Sequence, residues 1–214
     1  MKTVVSFSGG IDSTVCCAIA KNRGDEVIAV SFNYRQRNIN ELKSAEIIAS
    51  MLKLNHIIVD AGFISKLIPS FLTMNKMDES EGGFINTFIP GRNMLFSAII
   101  GIVAYMNKAD NIMIGVNAAD NNSYPDCRPQ FVRAMHKAIN YALDTNIKLE
   151  APLLELDKSQ IFEKAAELKI LPIILEETVT CYKGIKGEGC GECPACELRR
   201  EGYSKYILEK GNIL

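Results

Sequence analysis

The chain has 214 residues, 48% hydrophobic and 23% charged, a balance that supports one sizeable core and excludes an intrinsically disordered protein. A formal net charge of -1 leaves no overall basic excess to hold a phosphate backbone, so nucleic acid is not an expected partner. No apolar run approaches the ~20 residues that span a bilayer, and no basic leader precedes the first strand, so a cytoplasmic protein without membrane contact is expected.

The apolar pair Val4-Val5 marks a first strand, and Val15-Cys16-Cys17-Ala18-Ile19-Ala20 marks a first helix. Between them stands Ser6-Phe7-Ser8-Gly9-Gly10-Ile11-Asp12-Ser13-Thr14. Two glycines let the backbone turn sharply and approach a ligand, while the helix N-terminus offers free N–H groups and a positive dipole end to an anion. The stretch reads as a phosphate-binding turn, with Phe7, Ser8, Gly9, Gly10, Ile11, Asp12, Ser13 and Thr14 as nucleotide-binding residues. A Walker loop would place a lysine on the transferred phosphates, and none stands here, which argues against γ-phosphate cleavage. The competing reading, a plain serine-glycine turn over an ordinary helix, leaves the offsets of Asp12 and Ser13 unexplained.

Gly24 ends the first helix, and residues 26–32 form a β-rich run of the length of a buried parallel strand. Asn40 caps a second helix on which Leu42, Ala45, Ile48, Ala49 and Leu52 recur at helical spacing, and His56-Ile57-Ile58-Val59 is the third strand. This βαβαβ order predicts an α/β fold, an open doubly wound parallel sheet whose ligand lies beyond the carboxyl ends of its strands. Residues 63–86 carry Pro69, Gly82-Gly83 and a mixed-charge run, which predicts a short helix and then a mobile loop able to act as a lid. The helix over 94–106 is apolar on most faces and is expected to be buried, with Arg92 and Asn93 at its start. Residues 111–116 form the fourth strand, and the polar loop 117–129 behind it ends at a proline suited to a first helical turn. A helix over 130–143, a strand over 148–153 and a helix capped by Asp157 and bearing Ile161, Phe162, Ala165 and Leu168 complete this part of the chain. Residues 1–175 are expected to form the nucleotide-binding domain, with 176–214 a helical four-cysteine segment packed on it.

Of seven cysteines, Cys181, Cys190, Cys193 and Cys196 crowd together among Gly184, Gly187, Gly189 and Gly191, which permit turns that aim several thiolates at one ion. Four soft ligands suit structural zinc, and an iron–sulfur cluster is the rival. Cys16 and Cys17 read as core thiols. Cys127 is either a core thiol or a nucleophile, and no histidine is near it in sequence, since His56 and His136 read as packing or solvent-contact residues.

The string SGGxDS resembles the pyrophosphate loop of enzymes that cleave ATP between its α and β phosphates. SGGIDST, FIPGRN, GVNAAD followed by YPDCR, TCYKG and CGECPACELRREGY, taken in order, resemble the 7-cyano-7-deazaguanine synthase family over nearly the whole chain. The resemblance implies an adenine nucleotide alpha hydrolase-like fold, a homodimer, and conversion of 7-carboxy-7-deazaguanine and ammonia to the nitrile. It further implies ATP with magnesium as co-substrate and one structural zinc on Cys181, Cys190, Cys193 and Cys196. The family usually has tyrosine-glycine-glutamine-arginine-histidine after the second strand, where Tyr34-Arg35-Gln36-Arg37-Asn38 stand here. It also has aspartate-tyrosine-serine-glycine-tyrosine before PDCR, where this chain has Asp120-Asn121-Asn122-Ser123-Tyr124, and a glutamate in place of Gln130. These departures touch the loops that frame the base, which keeps two alternatives open: a diverged paralogue adenylating another deazapurine or carboxylate, and a tRNA sulfur transferase with an iron–sulfur cluster.

In this reading Asp12, Ser13, Arg92 and Lys158 carry catalysis. Ser8 and Ser13 hold pyrophosphate with the turn N–H groups, and magnesium near Asp12 offsets charge. Arg92 and Lys158 meet phosphate or developing negative charge, the rival role being that of solvated surface cations. Asn93, Asn117, Asp120, Asp126 and Arg128 are the candidate substrate-binding residues, with an Asx turn as the rival role of Asp126.

Overall fold

A computed structural model describes residues 1–36, 40–67, 89–119 and 124–211. Five parallel strands form one sheet in the order β3-β2-β1-β4-β5: β1 (Lys2–Ser6), β2 (Glu26–Asn33), β3 (Asn55–Asp60), β4 (Asn111–Met113) and β5 (Lys148–Glu150). The strand order reverses between β1 and β4, so the crevice of this open sheet lies beyond their carboxyl ends. Side chains alternate across the pleat. Val5, Ala29 and Met113 face one apolar cluster, while Val4, Ile28 and Ile112 face the other. Helices pack on both clusters, as the continuous apolar character of the central strands requires, while the edge strand β3 keeps Ile58 exposed.

The first face is covered by α1 (Ile11–Asn22), α2 (Asn40–Met51), α6 (Lys158–Glu167), α7 (Leu171–Glu177) and α8 (Pro194–Gly211). The other carries α3 (Phe63–Leu67), α4 (Arg92–Met106) and α5 (Pro129–Leu143). Cys16 and Cys17 are wholly buried in the first cluster, and burial pushes both thiols up, as suits packing residues. His56 packs edge-on to Phe7 and meets Ser31 Oγ at 2.7 Å, and His136 lies 3.1 Å from the carbonyl of Ile147, so both histidines serve the fold.

Two expectations are corrected. Helix α4 is not buried all round. Ser97, Ile100, Gly101 and Ala104 face the sheet, whereas Ile102, Tyr105 and Met106 are at least half exposed, because a helix on one side of a sheet can bury only the stripe it turns inward. Strands four and five pair over three residues each, and the apolar continuations Ile114–Val116 and 151–153 leave the ladder to line the crevice and cover the core. Residues 171–177 add helix α7, with Pro172 in its first turn. The short helix expected after residue 63 is α3, and the lid expected beyond it lies outside the described residues. Among the described residues no helix is long and apolar enough to cross a membrane.

Candidate functional site

The turn between β1 and α1 is built by its own side chains. Gly9 is left-handed, with φ 80°, and a Cβ there would lie 2.7 Å from Ala45 N and 2.8 Å from Glu41 O, so glycine alone lets the turn seat against the first turns of α2. Ser13 Oγ accepts the Ser8 N–H at 3.2 Å and donates to the Gly10 carbonyl at 3.2 Å, while Thr14 Oγ1 reaches the same carbonyl at 2.7 Å. These bonds hold the α1 N-terminus open toward the crevice.

Gly115, just past β4, approaches that terminus so closely that a Cβ would lie 3.1 Å from Ser13 N. Lys158, the first residue of α6, donates to both Asp12 oxygens, at 2.7 and 2.8 Å. Asn117 Nδ2 donates to Asp12 Oδ2 at 3.2 Å. A capping box fixes the start of α6: Asp157 Oδ1 accepts the Gln160 N–H at 3.0 Å, and Gln160 Oε1 accepts the Asp157 N–H at 2.9 Å. Lys205 and the backbone N–H of Gln160 hold the Asp157 carboxyl down at about 2.

A cleft of about 340 Å³ extends from this turn between the strand ends and α4. On its wall Phe32 and Phe96 stack directly on each other with ring centroids 3.9 Å apart and planes 3° from parallel, and Tyr34 tilts against Phe96. Arg92 lines the cleft at the start of α4. Although burial opposes its charge, Tyr34, Glu41 and Asp126 around it raise its basicity. Asp126 caps α4 from another element: its Oδ2 accepts the Asn93 N–H at 3.1 Å, and its carbonyl accepts Asn93 Nδ2 at 3.2 Å. Asn93 Nδ2 also meets Cys127 Sγ at 3.3 Å, which places Cys127, a buried thiol, on the cleft wall. Ser97 Oγ, buried on the same wall, has no hydrogen-bond partner among the described residues.

Phe7, Ser8, Gly10, Ile11, Asp12, Ser13, Arg92, Asn93 and Asp126 thus share one cleft, with Lys158 and Asn117 tied to it through Asp12. Arg128 is exposed at the N-cap of α5 and does not line it, and Asp120 lies outside the described residues. Sequence reasoning missed Phe32, Tyr34, Glu41, Phe96 and Ser97. Phe32 and Tyr34 flank the carboxyl end of a parallel strand, a position signal that was available; Glu41, Phe96 and Ser97 read as ordinary helix residues.

The four cysteine sulfurs of residues 181, 190, 193 and 196 lie within 4.8 Å of one another. Cys193 and Cys196 are 3.3 Å apart and Cys190 and Cys196 3.9 Å. Metal–sulfur bonds of about 2.3 Å in a tetrahedron give edges of about 3.8 Å, so this donor set fits a single ion. Backbone N–H groups of Glu192 and Cys193 bring the Cys190 thiol down to about 6, burial pushes Cys196 up to about 12, and a bound cation would deprotonate both. Gly189, left-handed at φ 76°, has no room for a Cβ, which would sit 2.3 Å from Cys196 Sγ.

This cluster is joined to the glycine turn between β1 and α1. The chain between α7 and Cys181 passes over the turn, where the Val179 N–H donates to the Gly9 carbonyl at 3.3 Å and Val179, Thr180 and Tyr182 line the cleft. Asn40 Nδ2 donates to the Gly184 carbonyl at 3.2 Å. Arg199 on α8 is buried and donates to Thr178 Oγ1 and the Ile174 carbonyl, both at 2.8 Å.

The family model "Queuosine biosynthesis protein QueC" matches residues 2–207. A 7-cyano-7-deazaguanine synthase of Staphylococcus haemolyticus is 43% identical over 98% of this chain and 95% of its own length. One of Clostridium novyi is 43% identical over 96% of this chain and 95% of its own. Among solved structures, the U34-tRNA thiolase NcsA of Methanococcus maripaludis, with its [4Fe-4S] cluster, is similar in fold, with a TM-score of 0.53 at 17% identity over 99% of this chain and 67% of that one.

Proposed function

The chain belongs to the QueC family of queuosine biosynthesis proteins, and on that premise we propose that it converts 7-carboxy-7-deazaguanine and ammonia to the nitrile 7-cyano-7-deazaguanine with consumption of ATP. The observation that carries this reading is the convergence of the lysine-free phosphate turn, the Lys158–Asp12 pair and Arg92 on one aromatic-walled cleft. A tRNA sulfur transferase is not favoured, since the relatives at 43% identity are named synthases of the nitrile.

The turn N–H groups with Ser8 and Ser13 receive the pyrophosphate of ATP. The substrate carboxylate then attacks the α-phosphate and forms an acyl-adenylate. Ammonia displaces AMP to give the amide, whose oxygen attacks a second ATP; loss of AMP leaves the nitrile. Lys158 moves from Asp12 to a phosphate oxygen as negative charge builds, and Arg92 meets the charge at the other end of the transferred group. Asp12 would hold magnesium, which would offset the charge of the leaving pyrophosphate. Phe32, Tyr34 and Phe96 offer the flat base an aromatic wall, Asn93 and Asp126 offer hydrogen bonds at its edge, and the buried Asn117 holds Asp12 from behind. Positioning supplies most of the acceleration, so no covalent enzyme intermediate is needed.

Zinc on Cys181, Cys190, Cys193 and Cys196 is the metal that the thiol spacing fits best, because an iron–sulfur cluster interposes its own atoms and holds its thiolates further apart. Its role is to order the segment over the turn. The exposed face of α4 is where we place a homodimer contact.

Incubation with ATP, magnesium, ammonium and 7-carboxy-7-deazaguanine should yield a product of the nitrile's mass, with AMP and pyrophosphate. Absence of both nitrile and acid-dependent AMP overturns this reading.

A further inference from the structure

The incoming ammonium nitrogen must lose every proton it carries before a nitrile can form. The residues assigned above bind phosphate, base or metal, and none takes protons. Glu41 has no assigned role. It stands in the first turn of α2, in the cleft lining together with Tyr34 and Arg92. Its backbone abuts the phosphate turn, its carbonyl being 2.8 Å from where a Gly9 Cβ would lie. No hydrogen bond from a described residue reaches the carboxyl, so the group is not committed to holding the fold. The other titratable groups lining the same cleft are Asp12 on α1, Arg92 from α4, Tyr34 from the end of β2, Tyr124, Asp126 and Cys127 before α5, and Tyr182 from the segment over the turn.

Burial pushes the Glu41 carboxyl up to about 7, with the Arg92 guanidinium pulling the other way. A carboxyl balanced in this way is part ionised at neutral pH. It can accept a proton and pass it to solvent within one turnover, which an ordinary exposed glutamate does weakly. Tyr34, pushed up by its own burial, keeps its proton and is not a rival base.

Resting on the nitrile-forming reading above, we propose that Glu41 is the general base of this site, taking the nitrogen's protons as the amide is converted to the nitrile. In the last step the adenylated amide gives its remaining N–H proton to the Glu41 carboxylate. The N–H bonding pair closes the third carbon–nitrogen bond, and the carbon–oxygen bond breaks with its electron pair leaving on AMP. Glu41, now neutral, returns the proton to solvent.

The test compares wild type with Glu41→Gln and Glu41→Asp. Adenylation of the acid needs no N–H proton loss, so Glu41→Gln should keep acid-dependent exchange of labelled pyrophosphate into ATP within a few-fold of wild type. Conversion of the synthetic amide to nitrile with ATP in a single turnover should fall by about 100-fold or more. Its pH profile should lose the rise centred near 7 that wild type displays, and Glu41→Asp should keep that rise at an intermediate rate. Glu41→Gln making nitrile at the wild-type rate overturns the proposal. So does equal loss of exchange and nitrile in a variant whose melting temperature is unchanged, which would mark a binding role. If Glu41→Gln does not fold, a flat pH profile for Glu41→Asp overturns it. Wild type that exchanges no pyrophosphate with the acid overturns the functional reading itself, and the proposal with it.

Discussion

Lys158 Nζ lies 2.7 and 2.8 Å from the two carboxylate oxygens of Asp12, a pair drawn together from 146 residues apart. The lysine side chain is 10% exposed and the aspartate 22%, so this is a partly desolvated ion pair at the mouth of a phosphate turn. A lysine absent from the turn itself thus reaches it from α6. Room for it comes from Gly202 on α8, where a Cβ would lie 2.5 Å from Lys158 Cβ.

Lys158→Met should therefore lower acid-dependent AMP formation by about 100-fold or more, the size of loss seen when one preorganised charge partner is removed. It should also cost on the order of 1 to 3 kcal/mol in urea unfolding, because Asp12 is left partly buried without its cation. Activity at the wild-type level would make the pair a structural tie only.

Asp126→Ala removes the acceptor of the Asn93 N–H at the start of α4, which should cost about 1 kcal/mol of stability. Because Arg92 and Asn93 are the first two residues of that helix, isothermal titration should register weaker binding of the acid. ATP binding and metal content should stay near wild type. Unchanged binding of both ligands together with unchanged stability would rule out both roles.

Elemental analysis should find one zinc per chain, absent in Cys193→Ser. Structural zinc contributes on the order of 10 kcal/mol in small peptide sites, so the C-terminal segment should become sensitive to protease. ATP binding should weaken as well, since Val179 on Gly9 and Asn40 on Gly184 tie that segment to the phosphate turn. Iron with sulfide in the purified protein, or full ATP affinity without metal, would contradict this.

Glu41 also predicts a pH dependence of stability. Its carboxyl is raised from an ordinary 4.5 to about 7, so the folded state binds the proton more tightly than the unfolded chain. Stability is lost as pH rises from 4.5 through 7, by about 3 kcal/mol in all. Glu41→Gln should be the more stable protein above pH 7, with the advantage shrinking toward zero below pH 4.5. An equal difference at pH 4 and pH 8 would count against the buried carboxyl.

Much of the site was legible in sequence because its parts are local. Ser8 to Thr14 form their turn through bonds that span at most five residues, and the capping box at Asp157 needs only Gln160 three positions on. The cysteines at 190, 193 and 196 lie within two turns of chain, so spacing alone brings their sulfurs near one ion. The helix α4 misled because its apolar residues do not form a stripe: periodicity is the only sequence signal of facing, and it is absent where both faces are apolar.

By itself, the sequence determined the strand–turn–helix with its lysine-free glycine turn, the parallel order of the first strands and the thiol set, because each follows from neighbours a few residues apart and from hydrophobic period. Only the tertiary structure decided that Lys158 pairs with Asp12, that Asp126 caps α4, that the cysteine segment lies across Gly9, and that Glu41 faces Arg92. Those relations join residues from 33 to 170 positions apart in some cases. What brings them together is closure of one core by helices on both faces of the sheet, and burial, which gives Glu41 its altered proton affinity, exists only once that core has closed.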